Sequence, residues 1–169
     1  MTQQSTTLEQ STAELSTGDA SPRPFDHIAA SYRDVWLLLG RLAIGTIFVT
    51  SGFEKLTDLG KFAANLAGKG VPMSDLLAPL GAGVEFFAGV AVVVGFESRM
   101  IALLMLAFVI VATAISHRYW EFEGAARVPQ EVNFYKNLCI FGGVLMFFTA
   151  GSGRLSVDGL LARLRGGKR

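Results

Sequence analysis

Met100-Ile101-Ala102-Leu103-Leu104-Met105-Leu106-Ala107-Phe108-Val109-Ile110-Val111-Ala112-Thr113-Ala114-Ile115-Ser116 runs for seventeen residues without a charge. A helix on the surface of a soluble bundle needs a polar face opposite its apolar stripe. This stretch has no such face, and its length approaches what a helix needs to cross a hydrocarbon core of about 30 Å. It therefore reads as a membrane span. On its N-terminal side only Glu97, Ser98 and Arg99 separate it from a second apolar block, about Leu77 to Phe96, with Pro79 expected in the first turn, where a missing N–H costs nothing. So short a link forces an antiparallel hairpin. On its C-terminal side a loop, His117 to Glu131, leads to a fourth block, about Val132 to Ala150. The first block runs from about Val35 to Phe53 and is interrupted by Arg41. The expected fold is all-α: an integral membrane antiparallel four-helix bundle.

The remaining segments fit around that bundle. Between spans 1 and 2, Leu59, Phe62, Ala63 and Leu66 recur at helical spacing, so a short helix lying on the membrane is expected, ended by Gly70 and Pro72. Residues 1–24 are rich in Thr, Ser and Gln with almost no large apolar side chain, which predicts a disordered polar tail. They lack the basic start and adjoining apolar stretch of a signal peptide. Residues 25–34 form a juxtamembrane segment, 35–151 the membrane domain, and 152–169 a basic amphipathic tail with Leu155, Val157, Leu160, Leu161 and Leu164 between arginines.

Composition agrees. Apolar residues make up 51% and charged ones 17%, against about 25% charged in soluble domains, and the mean hydropathy is +0.43. A net charge of +1 gives no basic stripe for nucleic acid. The single cysteine, Cys139, can form neither an intrachain disulfide nor a CxxC pair, and reads as an inert small apolar residue. Of the two histidines, only His117 lies near a span, so a bis-histidine haem cannot be built within the chain. A His–Met haem with Met105 or Met146 stays open by arithmetic alone. No metal site and no catalytic residue are assigned, and no covalent cofactor is implied.

Orientation follows from charge. Arg23, Arg33, Arg99, Arg154, Arg163, Arg165, Lys168 and Arg169 flank the side bearing the termini, and Lys55, Lys61, Lys69, Arg118 and Arg127 the other. Eight against five predicts cytoplasmic termini. On that orientation Ser51, Glu54 and Lys55 end span 1 outside, and Glu85 lies about 12 Å below the outer start of span 2. His117 closes span 3, and Asn133, Lys136 and Asn137 occupy the outer turns of span 4. Only Arg41 lies toward the inner half. Its expected roles are snorkelling to headgroups or pairing with Asp158, with substrate binding a weaker reading.

Ionisable groups inside a span need a partner or a purpose. Gly81, Glu85 and Gly89 form one stripe, and Arg41, Gly45, Phe48 and Gly52 another, and both are expected to face the bundle. Lys136 shares a face with Gly143, and His117 with Thr113. The simplest arrangement pairs Glu85 with Lys136, with Asn137 and Ser51 completing the hydrogen bonds. Two readings of that cluster stand side by side: a structural pair, or a ligand or proton site. His117 reads first as an interface anchor beside Arg118, Tyr119 and Trp120, and second as a proton-handling group.

The order of these elements resembles the DoxX family. It is carried by Gly40-Arg41-Leu42-Ala43-Ile44-Gly45, Ser51-Gly52-Phe53-Glu54-Lys55-Leu56, Gly70-Val71-Pro72, Glu85, His117-Arg118-Tyr119-Trp120, Lys136-Asn137-Leu138 and Gly151-Ser152-Gly153-Arg154-Leu155-Ser156-Val157-Asp158. The resemblance spans about residues 35–161. It implies a four-helix protein of the bacterial cytoplasmic membrane, some of whose relatives are membrane subunits of thiosulfate–quinone oxidoreductases. It transfers no catalytic residues. Where members act in redox chemistry quinone is the natural partner, and Glu85, Lys136, Asn137 and His117, in a polar cluster with Ser51 and Lys55, could meet its carbonyls. The expected partners are the lipid bilayer, a soluble oxidoreductase subunit and further copies of the chain. Two rivals remain: a non-enzymatic scaffold or stress-response assembly factor, and an oligomeric small-molecule or proton permeation unit.

Overall fold

The computed structural model describes residues 23–166. Helix α1, Pro24–Ser31, belongs to a compact unit of its own that ends at Tyr32. Asp26 closes its first turn by accepting the Arg23 N–H at 3.0 Å. The polar tail expected over residues 1–24 lies almost wholly outside the described residues.

The second unit holds α2 (Arg33–Thr57), α3 (Leu59–Gly68), α4 (Ser74–Val94), α5 (Ser98–Ser116), α6 (Arg127–Ala150) and α7 (Val157–Leu164). Two 3-10 turns, Tyr119–Glu121 and Gly124–Ala126, lead into α6. Four helices, α2, α4, α5 and α6, are long and apolar enough to cross a membrane. Each packs on its neighbours in a ring, α2 on α4, α4 on α5, α5 on α6 and α6 back on α2. Adjacent members of the ring run antiparallel.

All four spans contribute to one core: Phe48 from α2, Ala88 and Val92 from α4, Ala102, Met105 and Val109 from α5, and Val144 and Phe147 from α6. The outward surface is equally apolar, with Phe87, Leu103, Ile110, Val111, Leu138 and Met146 all exposed. A chain facing water would not leave so many large apolar groups uncovered along its helices. Lipid is the solvent that fits.

The closest approach is between α2 and α4, and small residues permit it. A Cβ on Gly52 would lie 2.6 Å from the backbone nitrogen of Phe86, and one on Gly89 would lie 2.8 Å from the Cβ of Phe48. The stripe Arg41, Gly45, Phe48, Gly52 is buried along its whole length. Gly89 and Glu85 are buried on α4, whereas Gly81 has only the Phe62 ring near it, at 3.9 Å. The turn joining α4 to α5 is tight. Gly95 (φ 69°) and Glu97 (φ 45°) both adopt the left-handed conformation, which is costly for a glutamate unless its surroundings hold it.

Three expectations need correction. All four spans begin two to five residues earlier than hydropathy suggests, at Arg33, Ser74, Ser98 and Arg127, because polar residues continue the helices beyond the apolar blocks. Pro79 is therefore inside α4 and not in its first turn. The short helix α3 does form, but it does not simply lie on the membrane: Ala63 and Leu66 are buried against Ala78 of α4, with Phe62, Val71 and Ile115 around them. Its apolar face covers one end of the bundle.

Candidate functional site

A cavity of about 630 Å³ lies at the end of the bundle covered by α3. Ser51, Glu54 and Lys55 reach it from α2, Lys61, Phe62 and Asn65 from α3, and Leu80, Val84 and Glu85 from α4. Phe108, Val111 and Ile115 come from α5, His117 from its C-cap, and Asn133 and Lys136 from α6. A smaller void of about 110 Å³ adjoins it on the core side, where Ile47, Phe48, Val109, Asn137 and Ile140 join the lining. Ser51, Lys55, Glu85, His117 and Lys136 line both. All six residues expected of the cluster thus border this space, with Asn137 on the smaller void alone.

The pairing differs from expectation. Glu85 is buried and takes Lys55 as its partner, Nζ to Oε2 at 2.5 Å. The contact between Gly52 and the Phe86 backbone brings the last turns of α2 level with the middle of α4, where Glu85 lies. Lys136 sits on α6, which packs on α2 and α5, and its Nζ donates to Asn133 Oδ1 at 2.8 Å. Asn137 does not reach Glu85 either; its amide donates to Thr113 Oγ1 at 2.8 Å and ties α6 to α5. No hydrogen bond joins Ser51 to Glu85 among the described residues. His117 follows the last turn of α5, and its Nδ1 shares a hydrogen bond with Gln130 Oε1 at 3.0 Å. Nε2 is then the ring atom left for a ligand.

Lys61, Asn65 and Lys69, outside the expected set, also line the cavity. Spacing alone placed them on a polar membrane-surface segment, and only the docking of α3 onto α4 turns them inward. Lys69 is held below the ordinary lysine value, first by burial and then by the charges of Lys55 and Arg118. Lys55 also stands over the Phe62 ring at 5.2 Å. Beside the cavity, Tyr119, Trp120, Phe134 and Tyr135 form a continuous aromatic cluster, with ring centroids 5.3 to 6.3 Å apart. Cys139 is exposed on α6.

The other intramembrane charge, Arg41, lies at the opposite end and is 1% exposed. It is buried and does not extend to headgroups, and although the charge of Asp158 acts on it, no ion-pair contact joins the two. Its Nη2 donates to the carbonyl of Leu155, while Nε and Nη1 have no partner among the described residues. Asp158 is occupied elsewhere. Its carboxylate accepts from the Glu97 N–H at 2.8 Å, the Ser98 N–H at 3.0 Å, the Ser98 hydroxyl and the Ser152 hydroxyl. Asp34 accepts the Arg154 N–H at 2.8 Å, and Arg33 donates to the Ala150 carbonyl at 2.9 Å.

The DoxX family model matches residues 36–118, from the first span to the His117 cap. Inner membrane protein YphA of Escherichia coli (strain K12) is 35% identical over 136 residues, 80% of this chain and 96% of that protein. The chain belongs to the DoxX family. A second relative, inner membrane protein YqjF of the same organism, is 32% identical over 128 residues, 76% of this chain and 93% of that protein. The SURF4 family model also matches, over residues 81–162, so the two models together take in all four spans and most of α7. No solved structure matches significantly. In this DoxX chain Glu85 falls inside both matched regions, and Lys55 only in the first.

Proposed function

We propose that this DoxX-family protein works in the bacterial inner membrane as a ligand-binding subunit. Its cavity would take the headgroup of a membrane-soluble molecule, a quinone where the reading is redox, and it would serve a soluble oxidoreductase. The carrying observation is the cavity itself: about 630 Å³, walled by Leu80, Val84, Phe108, Val111 and Ile115, and bordered by the buried Glu85–Lys55 pair, His117 and Lys136. Ligand sites have this composition, mostly apolar walls with a few convergent polar groups. A helix-packing pair needs two residues; here five elements contribute. The Lys55 ammonium suits a carbonyl oxygen, the bare Nε2 of His117 can accept from a hydroxyl, and Glu85 is placed to exchange a proton. The inner-membrane relatives support the location.

Quinone titration of the purified protein, followed by thermal unfolding, tests this reading. A ligand at a hundredfold excess over Kd stabilises by about 2.7 kcal/mol. His117→Ala and Asn137→Leu should lose that gain while remaining folded. Absence of any shift with every quinone tried, or equal shifts in the variants, would remove the redox reading.

A further inference from the structure

Resting on the ligand-site reading of the cavity, we propose that the molecule it selects is an anionic amphiphile: a carboxylate or phosphate monoester carried on an apolar chain. Four ammonium groups, those of Lys55, Lys61, Lys69 and Lys136, line the cavity with three carboxylates. Two of the carboxylates are already committed. Glu85 holds Lys55, and Asp58 caps α3 by accepting the Lys61 N–H at 3.0 Å. The third, Glu54, forms no ion pair among the described residues and is exposed, as are Lys61 and Lys136, whereas Lys55 and Lys69 are half-buried. Lys61, Lys69 and Lys136 have no carboxylate within ion-pair distance among the described residues, and Lys136 meets only the neutral amide oxygen of Asn133. The charges that act on Lys69 are both positive.

Cations gathered in a partly dry cleft repel one another and concentrate anions there. The wall formed by Leu80, Val111 and Ile115 is apolar span surface that suits a hydrocarbon chain. A neutral quinone uses that wall but offers the ammonium groups only carbonyl oxygens. An anion on an alkyl chain satisfies both halves of the cavity, and charge-assisted hydrogen bonds are the stronger kind.

The test uses the full chain in neutral maltoside micelles, with thermal unfolding read against dodecyl phosphate, dodecanol, inorganic phosphate and a short-chain quinone. Dodecyl phosphate should raise the unfolding midpoint, while dodecanol and inorganic phosphate leave it unchanged. Lys69→Gln and Lys136→Gln should each raise the apparent Kd for dodecyl phosphate roughly tenfold, the effect of losing one charge-assisted hydrogen bond. Lys69→Arg should retain binding, and Arg163→Gln, in α7 away from the cavity, should behave as wild type. Equal shifts with dodecanol, a shift with inorganic phosphate as large as with dodecyl phosphate, or wild-type binding by both lysine variants would overturn the proposal. Stabilisation by the quinone but not by dodecyl phosphate would overturn it and leave the ligand site standing. No shift with any probe would overturn both.

Discussion

Glu85 and Lys55 form the one ion pair that joins two helices among the described residues, one side chain almost dry and the other about 30% exposed. Removing one partner of a buried pair leaves a lone charge in a poor solvent, whereas removing both leaves none. Glu85→Gln and Lys55→Met should therefore each lower stability by more than the double variant does. The single losses should approach about 3 kcal/mol, the lower end for buried pairs, because Lys55 keeps some contact with polar surroundings. Thermal unfolding in neutral detergent measures the cycle, and strict additivity would count against the contact. That Glu85 faces inward was readable from its place in a stripe with Gly89. Its partner was not. Lys55 and Lys136 are both lysines near the same end, and choosing between them needs the order of helices around the ring. That order is set by Gly52 and Gly89, whose packing partners are remote in sequence.

Among the elements, α5 owes its start to a residue about sixty positions later in the chain. Neither Glu97 nor Ser98 caps the helix with its own side chain; the Asp158 carboxylate does so from α7, and it also holds Glu97 in its left-handed conformation. Burial alone pushes the Asp158 carboxyl up, but hydrogen bonds from Ser98, Glu97 and Ser152 outweigh it and hold the group below its ordinary value of 3.8. The sign is that of a depressed acid: the stabilisation is complete above the unfolded value and is lost as pH falls through the folded one. Unfolding midpoints recorded from about pH 6 down to about pH 3 should show this acid limb in wild type and a flatter profile in Asp158→Asn. Asp158→Ala at neutral pH should cost about 0.5–2 kcal/mol, the usual loss of a helix cap. Hydropathy located α5 to within two residues but could not supply its cap, because a contact across sixty positions leaves no periodic trace. The same limit hid the true role of Arg41, whose stripe was legible and whose carbonyl partner, Leu155, was not.

At the scale of the molecule, the four spans and their antiparallel order were legible because length and hydropathy alone define a span, and links as short as Glu97-Ser98-Arg99 permit one direction only. The charge bias gives the orientation its prediction: a reporter fused after Arg169 should behave as cytoplasmic, and one inserted near Gly124 as exported. Reversal of both signals would invert the molecule and put the cavity on the cytoplasmic side. The anchoring of residues 151–158 also bears on how the protein is made. Membrane helices enter the bilayer as they are synthesised, N-terminal spans first. Arg41 is therefore in the membrane long before Leu155 exists, and α5 is threaded before Asp158 is translated. Until the final stretch emerges, the nascent bundle lacks the Leu155 carbonyl that accepts from Arg41 and holds an uncapped helix, so assembly becomes favourable only near completion. A message truncated after Gly151 would yield four inserted spans that never lock together, a natural substrate for membrane proteases.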